Sequence, residues 1–563
     1  MSKLSNFFQN LFLYQEKEDY QFNIPKNNNN IPTSHLPQQK NIYPSLDVNL
    51  EYMKTKFNSL INSDISIREF TLLAQNKEYK AFLFYIDGMV DTKLINDFIL
   101  KPLMLRNRAN THTPDKKVKV TSAIANNISV RRMKKFNLED YIFNSLVPQN
   151  TIKKVSEFEK IISDINMGNC ALFVDTLSVA FSLEVKGFKA RSIPEPNNEI
   201  IIRGSQEAFV EVIRTNTSLI RRFVNNENLI IENASVGKVT NTPVAICYMK
   251  EIANDALVAE VKYRIQNLKI DSLTSSGQLE QLIQDNDKVI FPQILSTERP
   301  DRASRYILAG RVVVIVNGSP YALVMPATFM DFLSSQEDTN IRYQYANLLK
   351  IIRGIALFLA LLLPGLYIAI SNYHQELIPT ELLFAIVSSR ASVPFPVILE
   401  ILIMEVSFEL IREAGVRVPS PLGPTIGIVG ALILGQAAVS ASIVSPILII
   451  IISITGICSF TVPDFFLGFW VRIYRFIYII AGYLGGFLGI AFILFIQFLL
   501  LLGNQSFGVP YLSLHLPFGG STRTKSYFLS PMWKREKRET ELNTKRPNAQ
   551  EHISMTWKDT RKE

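Results

Sequence analysis

The sequence predicts an α/β cytoplasmic N-terminal region, built of two α/β subdomains, followed by an all-α polytopic membrane domain. Three observations predict it. Residues 1–345 have ordinary soluble composition with strand-like and helix-like periodicity, whereas 354–502 is strongly apolar. Between Arg417 and Asp464 lie 46 residues without a charge. Inside the apolar part, one helix within Arg390–Arg417 nonetheless carries Glu400, Glu405, Glu409 and Glu413.

A chain of 563 residues is long enough for several domains, and its mean hydropathy of +0.14 averages two chemistries. The net charge of +9 fits anchoring at an anionic inner leaflet. No aromatic-interleaved basic motif points to nucleic acid. Cys170, Cys247 and Cys458 form no C-x-x-C and read as packed thiols in a reducing compartment. The first residues lack the basic, apolar and small-residue pattern of a secretory signal, so the large soluble part is expected in the cytoplasm.

Residues 1–50, with the Asn- and Pro-rich run at 26–40, read as a disordered lead-in. A first α/β domain, 51–145, holds the strand K-A-F-L-F-Y-I-D-G and a helix stopped at Pro102; 105–135 is polar and basic, a surface loop. A second, 146–345, opens with a helix near 151–164 and the strands of C-A-L-F-V-D-T and S-V-A-F-S-L-E-V. Its segment 195–223 reads as a strand through Arg203-Gly204 into a helix capped by Ser205, with Glu207 and Glu211 on the helix dipole. Asn317-Gly318 marks a tight hairpin. Glu298, Arg299, Asp301 and Arg302 read as a solvated or interdomain salt-bridge cluster. With no HExxH, GxSxG or Walker loop, no catalytic, cofactor or metal site is expected, and no enzymatic activity.

The membrane domain, 346–503, begins with an uncharged run at 354–370 kinked by Pro364. Residues 418–463 are too long for one span and fold as a hairpin broken at 435–446, and 476–502 reads as a last span. Loop charges put 371–381 outside and 412–417 and 464–475 inside. Five crossings leave the tail, 504–563, outside although it holds 11 Lys/Arg against 6 Asp/Glu; it is expected to be basic and disordered.

The acidic helix is expected to begin near Phe395, because Pro394 and Pro396 disfavour helix before them, and 382–393 with Arg390 reads as interfacial or re-entrant. Glu405, Glu409 and Glu413 share one face. Glu409 and Glu413 fit local pairing with Arg412 and Arg417 at the membrane surface. Glu400 and Glu405 lie among apolar residues, where a carboxylate faces a polar interior or a pore. Repeated around an axis, such a residue makes an acidic ring that favours cations, with Ile401, Leu402 and Met404 narrowing the path. The rival role is a hydrogen-bonding contact between subunits.

The blocks E-P-N-N-E-I-I-I-R-G, N-T-S-L-I-R-R, F-P-Q-I-L-S-T-E-R-P-D, G-R-V-V-V-I-V-N-G-S-P, P-G-L-Y-I-A-I-S-N-Y-H-Q-E-L-I-P-T, R-A-S-V-P-F-P-V-I-L-E and M-E-V-S-F-E-L-I-R-E-A-G-V-R-V-P resemble the A subunit of GerA-type spore germination receptors. The resemblance runs over 60–510 and departs at Ala208 and at Thr339-Asn340. It implies a multi-pass protein of the spore inner membrane, working with a transporter-like B subunit that binds the germinant and a lipoprotein C subunit. It further implies a homo-oligomer, with a pentamer as its suggested size, forming a germinant-gated cation channel. A non-conducting scaffold is the second reading and a secondary transporter the third; the one broken segment, at Pro394–Pro396, has no second copy as transporter repeats require.

Overall fold

The computed structural model describes residues 22–25, 40–74, 77–104, 137–187, 195–196, 198–417, 435–512, 528–532 and 535–550. The loop expected at 105–135 and the first arm of the hairpin expected at 418–463 lie largely outside them.

The first domain opens with α1 (Leu46–Lys56), then β1 (Ile65–Ala74) and β2 (Lys77–Ile86). It continues through β3 (Ile152–Val155), α2 (Phe158–Asn166), β4 (Cys170–Val174) and β5 (Ala180–Leu183). These strands form one antiparallel sheet of order β1-β2-β4-β5-β3. The boundary expected at 145 therefore moves beyond Leu183, because β4 pairs with β2 and carries β5 and β3 into the same sheet. Pro102 does not end the helical run before it, which continues to Met104.

The second domain comprises α3 (Ile213–Phe223), β6 (Leu229–Val236), β7 (Thr242–Met249), α4 (Asp255–Gln266), α5 (Ser276–Ile283), β8 (Leu295–Thr297), α6 (Pro300–Ala309), β9 (Val312–Val316) and β10 (Ala322–Met325). Its antiparallel order, β6-β7-β9-β10-β8, repeats that of the first sheet. The expected hairpin is present, with Gly318 at φ +86° between β9 and β10. The helix expected after Ser205 starts only at Ile213; residues 198–207 form a loop instead. Arg221 fastens the two domains: both its Nε and Nη2 donate to the Asp64 carboxylate, at 2.7 and 2.8 Å, with both side chains buried.

The apolar part consists of α7 (Tyr343–Tyr373), α8 (Thr380–Arg390), α9 (Val397–Arg417), α10 (Pro446–Phe460) and α11 (Phe465–Gly503). α7 and α11 are long and apolar enough to cross a membrane. The segment expected as interfacial or re-entrant is the mostly exposed α8, and α9 begins two residues after the expected start, on the free carbonyl of Pro396.

α11 is not one rod. Gly486 takes φ +56° and ψ −137°, and a Cβ on Gly489 would stand 2.3 Å from the carbonyl oxygen of Ala481. The Tyr478 hydroxyl meets the Gln497 side chain, an approach that 19 residues of straight helix would hold about 28 Å apart. The helix thus doubles back into arms 465–485 and 487–503, correcting the single last span expected at 476–502. Its turn sits at the far end of α7, where His374 stacks on Phe487 at 4.5 Å.

Both ends of this hairpin return to the second domain. Trp470, on the first arm, packs 5.0 Å from Phe291. After the second arm, Phe507 and Tyr511 are fully buried and the Ser506 hydroxyl donates to the carbonyl of Gln293. The tail, expected as disordered, lies along the same domain over its described residues: Glu539 pairs with the buried Arg311 at 2.7 Å, and Leu542 enters the apolar layer that also holds Ile24, Val314 and Phe507. The lead-in is likewise ordered at Phe22–Pro25, where Ile24 gives its carbonyl to Asn543.

Candidate functional site in the apolar helices

Pro364 inside α7 has no N–H, so the carbonyl four residues earlier, on Ala360, lacks its helical donor. Arg475 of α11 supplies one, its Nε donating to the Ala360 oxygen at 2.9 Å. The same guanidinium donates through Nη1 to Glu405 Oε2 of α9 at 2.7 Å, with Arg475 1% and Glu405 0% exposed. One side chain therefore ties three helices together.

Close backbone contact makes this possible. A Cβ on Gly365 would lie 2.6 Å from the Tyr478 oxygen and one on Gly482 2.5 Å from the Gly365 oxygen, so α7 and α11 cross at paired glycines. One turn further along α9, Glu409 accepts from Arg472 Nη1 at 3.1 Å and lies 3.8 Å from Arg412 Nη1. Arg412 also donates to the Ser459 hydroxyl and lies over the rings of Phe460 and Phe408, at 4.4 and 5.1 Å.

Glu400 occupies a separate place. Its Oε2 accepts the backbone N–H of Ser445 at 3.1 Å, at the N-terminus of α10, where the helix dipole favours an anion. Arg390 of α8 lies 3.5 Å from its other oxygen. Ile401 and Met404, between Glu400 and Glu405, are buried against Leu448 and Ile452, with Leu402 at the margin. Pro394 and Pro396 are exposed before the helix. The outward face of α9 carries Leu399, Ile403, Val406 and Leu410.

Local pairing of Glu409 with Arg412 is present, but its shorter contact is to Arg472. The partners of Glu400 and Glu405 come from α8, the start of α10 and α11, and nothing in the spacing of α9 identifies them. Arg475 was legible only as a loop charge bordering an apolar run.

The residues singled out in the soluble part form a different assembly. Arg299, fully buried, donates to Asp301 and to the carbonyls of Glu199 and Ser205; Glu298 accepts the N–H groups of Asn198 and Glu199. The cluster is thus buried and not solvated, because the loop 198–206 wraps over it, and Arg302 reaches beyond the second domain, toward Asp464. Arg203 and Gly204 sit exposed on that loop, held by Asn340 Nδ2 donating to the Arg203 carbonyl at 2.9 Å. Arg302 pairs with Glu199 and faces Asp464, which caps α11 by accepting from Leu467 N–H at 2.9 Å. Burial pushes Asp464 up to about 6 against that hydrogen bond and the pull of Arg302. Burial, reinforced by Asp464, pushes Glu280 up to about 8.

Comparison with known proteins gives this geometry its family. Residues 51–541 match the family described as Bacillus/Clostridium GerA spore germination protein. The chain is 38% identical over 497 residues to Spore germination protein KA of Bacillus subtilis, covering 88% of this chain and 86% of that one. It is 36% identical over 496 residues to the B. subtilis membrane protein YfkQ, covering 88% and 91%. Among solved structures, the N-terminal domain of the A subunit of the Bacillus megaterium spore germinant receptor GerK3 aligns at a TM-score of 0.36 and 30% identity, over 51% of this chain and 97% of that one. The chain belongs to the GerA family of spore germination proteins.

Proposed function

We propose that this chain is the A-type subunit of a nutrient germinant receptor of the spore inner membrane, and that copies of it assemble around a cation path beside α9. On this reading a transporter-like B subunit binds the germinant, a lipoprotein C subunit completes the complex, and the A subunit itself binds no germinant and performs no catalysis. Supporting the membrane arrangement, the hairpin in α11 adds a crossing to the five counted from sequence. Six crossings return the tail to the side of the N-terminal domains, with which it shares an apolar layer. Its 11 Lys/Arg against 6 Asp/Glu then lie on the cytoplasmic side.

One observation carries the channel reading: the buried Glu405–Arg475 pair, set among helices apolar enough to span a membrane. Ionised groups in such helices are costly, and they mark ion paths or moving elements. In this structure Glu405 is turned inward and paired with Arg475, so on this reading opening requires that α9 release Arg475 and bring the carboxylate toward the path, where Ile401, Leu402 and Met404 form the constriction. The outward apolar face of α9 favours a second reading, a non-conducting scaffold in which the same pair only fastens helices.

Single-channel recording from the complete reconstituted receptor tests this. Germinant should evoke a cation current whose selectivity changes in Glu405→Gln at unchanged abundance. An intact receptor that stays silent with germinant refutes the channel and leaves the scaffold.

A further inference from the structure

Two groups of buried polar atoms around α9 have no hydrogen-bond partner among the described residues. Beside Glu400 these are Glu400 Oε1 and Arg390 Nε, which face each other at 3.5 Å without hydrogen-bond geometry, and Ser445 Oγ next to the Tyr367 hydroxyl. Around the three-helix tie they are Glu405 Oε1, Glu409 Oε1, Arg412 Nε, Arg472 Nε and Arg475 Nη2. Glu400, Glu405, Ser445 and Arg475 are each no more than 1% exposed, so bulk solvent does not reach them.

The chemistry of the unmatched atoms identifies their ligand. Each group contains both donors and acceptors. An inorganic cation would face the guanidiniums of Arg412, Arg472 and Arg475, and an anion would face the carboxylates of Glu405 and Glu409. Water satisfies both kinds at once, because each molecule donates and accepts. Ile401, Met404, Leu448 and Ile452 separate the two groups with apolar surface.

We propose that each protomer holds internal water at two sites along α9, one at Glu400 and one at the Glu405–Arg475 tie, with a dry apolar plug between them. The inner site gives the charged groups an alternative partner. Glu409 already stands between Arg412 and Arg472, and with water beside it Glu405 leaves Arg475 by exchange rather than through a fully desolvated state. This deepens the gating reading above and rests on it for its purpose, but hydration itself is tested separately.

Hydroxyl-radical footprinting of the complete receptor in membranes, with radicals generated in place by an X-ray pulse, reads the water next to a side chain. In a chain with Cys170, Cys247 and Cys458 replaced by Ala, Ser445→Cys and Ser459→Cys should oxidise several-fold faster than Leu448→Cys in the plug. Equal, slow oxidation at all three positions overturns the proposal. As a second measurement on the unaltered chain, a high-resolution map should show ordered density within hydrogen-bonding distance of Glu405 Oε1 and Arg475 Nη2; a map empty there also overturns it. Fast oxidation at both serine positions in a receptor that passes no current upholds the water sites and refutes the channel.

Discussion

Replacing Arg475 by Met tests the three-helix tie most directly, because it removes the guanidinium and keeps much of the side-chain volume. Two groups lose their partner at once. The Glu405 carboxylate, 0% exposed, loses its cation, and stranding one member of a buried ion pair costs about 3–5 kcal/mol. The Ala360 carbonyl loses the donor that compensates for Pro364, and an unsatisfied buried acceptor adds roughly 1–3 kcal/mol. Glu405→Gln should cost less, since Arg475 keeps Ala360 and an amide oxygen still accepts from Nη1. Adding Glu405→Gln to Arg475→Met should recover on the order of 2 kcal/mol, as expected of groups in direct contact. Thermal unfolding of the purified receptor in mild detergent, with abundance in membranes as a parallel readout, measures all three variants. If Arg475→Met costs under about 1 kcal/mol, or if the single effects simply add, the pair does not carry the load assigned to it.

Three further outcomes follow from particular contacts. Gly482→Ala and Gly365→Ala each press a methyl group against a facing carbonyl and should lower receptor abundance by a destabilisation of about 1–3 kcal/mol; Gly485→Ala, with nothing within 4 Å, should be neutral in the same immunoblot. Glu280 is raised from its ordinary 4.5 to about 8, so its folded form holds a proton that the unfolded form has given up. Its contribution is complete below pH 4.5 and lost as pH rises through 8; the melting temperature should therefore fall between pH 5 and 8.5, and Glu280→Gln should flatten that slope. Glu539→Ala removes one of the two carboxylates on buried Arg311, costing about 1–3 kcal/mol of tail docking, and limited proteolysis should cut faster within 528–550.

What was legible in the sequence follows the range of the interactions involved. Strand and helix patterns are local, so β2, β4, β9 and the Asn317-Gly318 turn were readable, as was the change from soluble to apolar composition at the start of α7. The domain boundary was not, because β4 and β5 are apolar strands that suit either sheet, and only their pairing with β2 decides. Ser205 and Glu207 imitate a helix start, yet Ser205 Oγ merely accepts Glu207 N–H in a loop held by Arg299. The reversal in α11 hides in a glycine-rich run, since glycines at 482, 485, 486 and 489 read equally as close helix contacts and as a turn. α9 was visible through its charges, but the arginine that answers Glu405 lies 70 residues away.

Pro364 links these parts. Read alone it is a kink in an apolar helix; in the fold it frees one carbonyl, and that carbonyl fixes where Arg475 sits and hence which carboxylate of α9 is held. α7 enters from the second domain, where Arg353 near its base pairs with the buried Asp338 at 2.7 Å. α11 enters through Asp464, packed beside Arg302 of the same domain. α7 and α11 thus connect the second domain to α9 by way of Arg475. The outward face of α9 is apolar, and its charged contacts run from Glu400 near its start to Arg412, with Arg412 and Arg472 beside the Glu405–Arg475 pair. Sequence pattern alone places the charge; the unpaired carbonyl explains why it stays where it is.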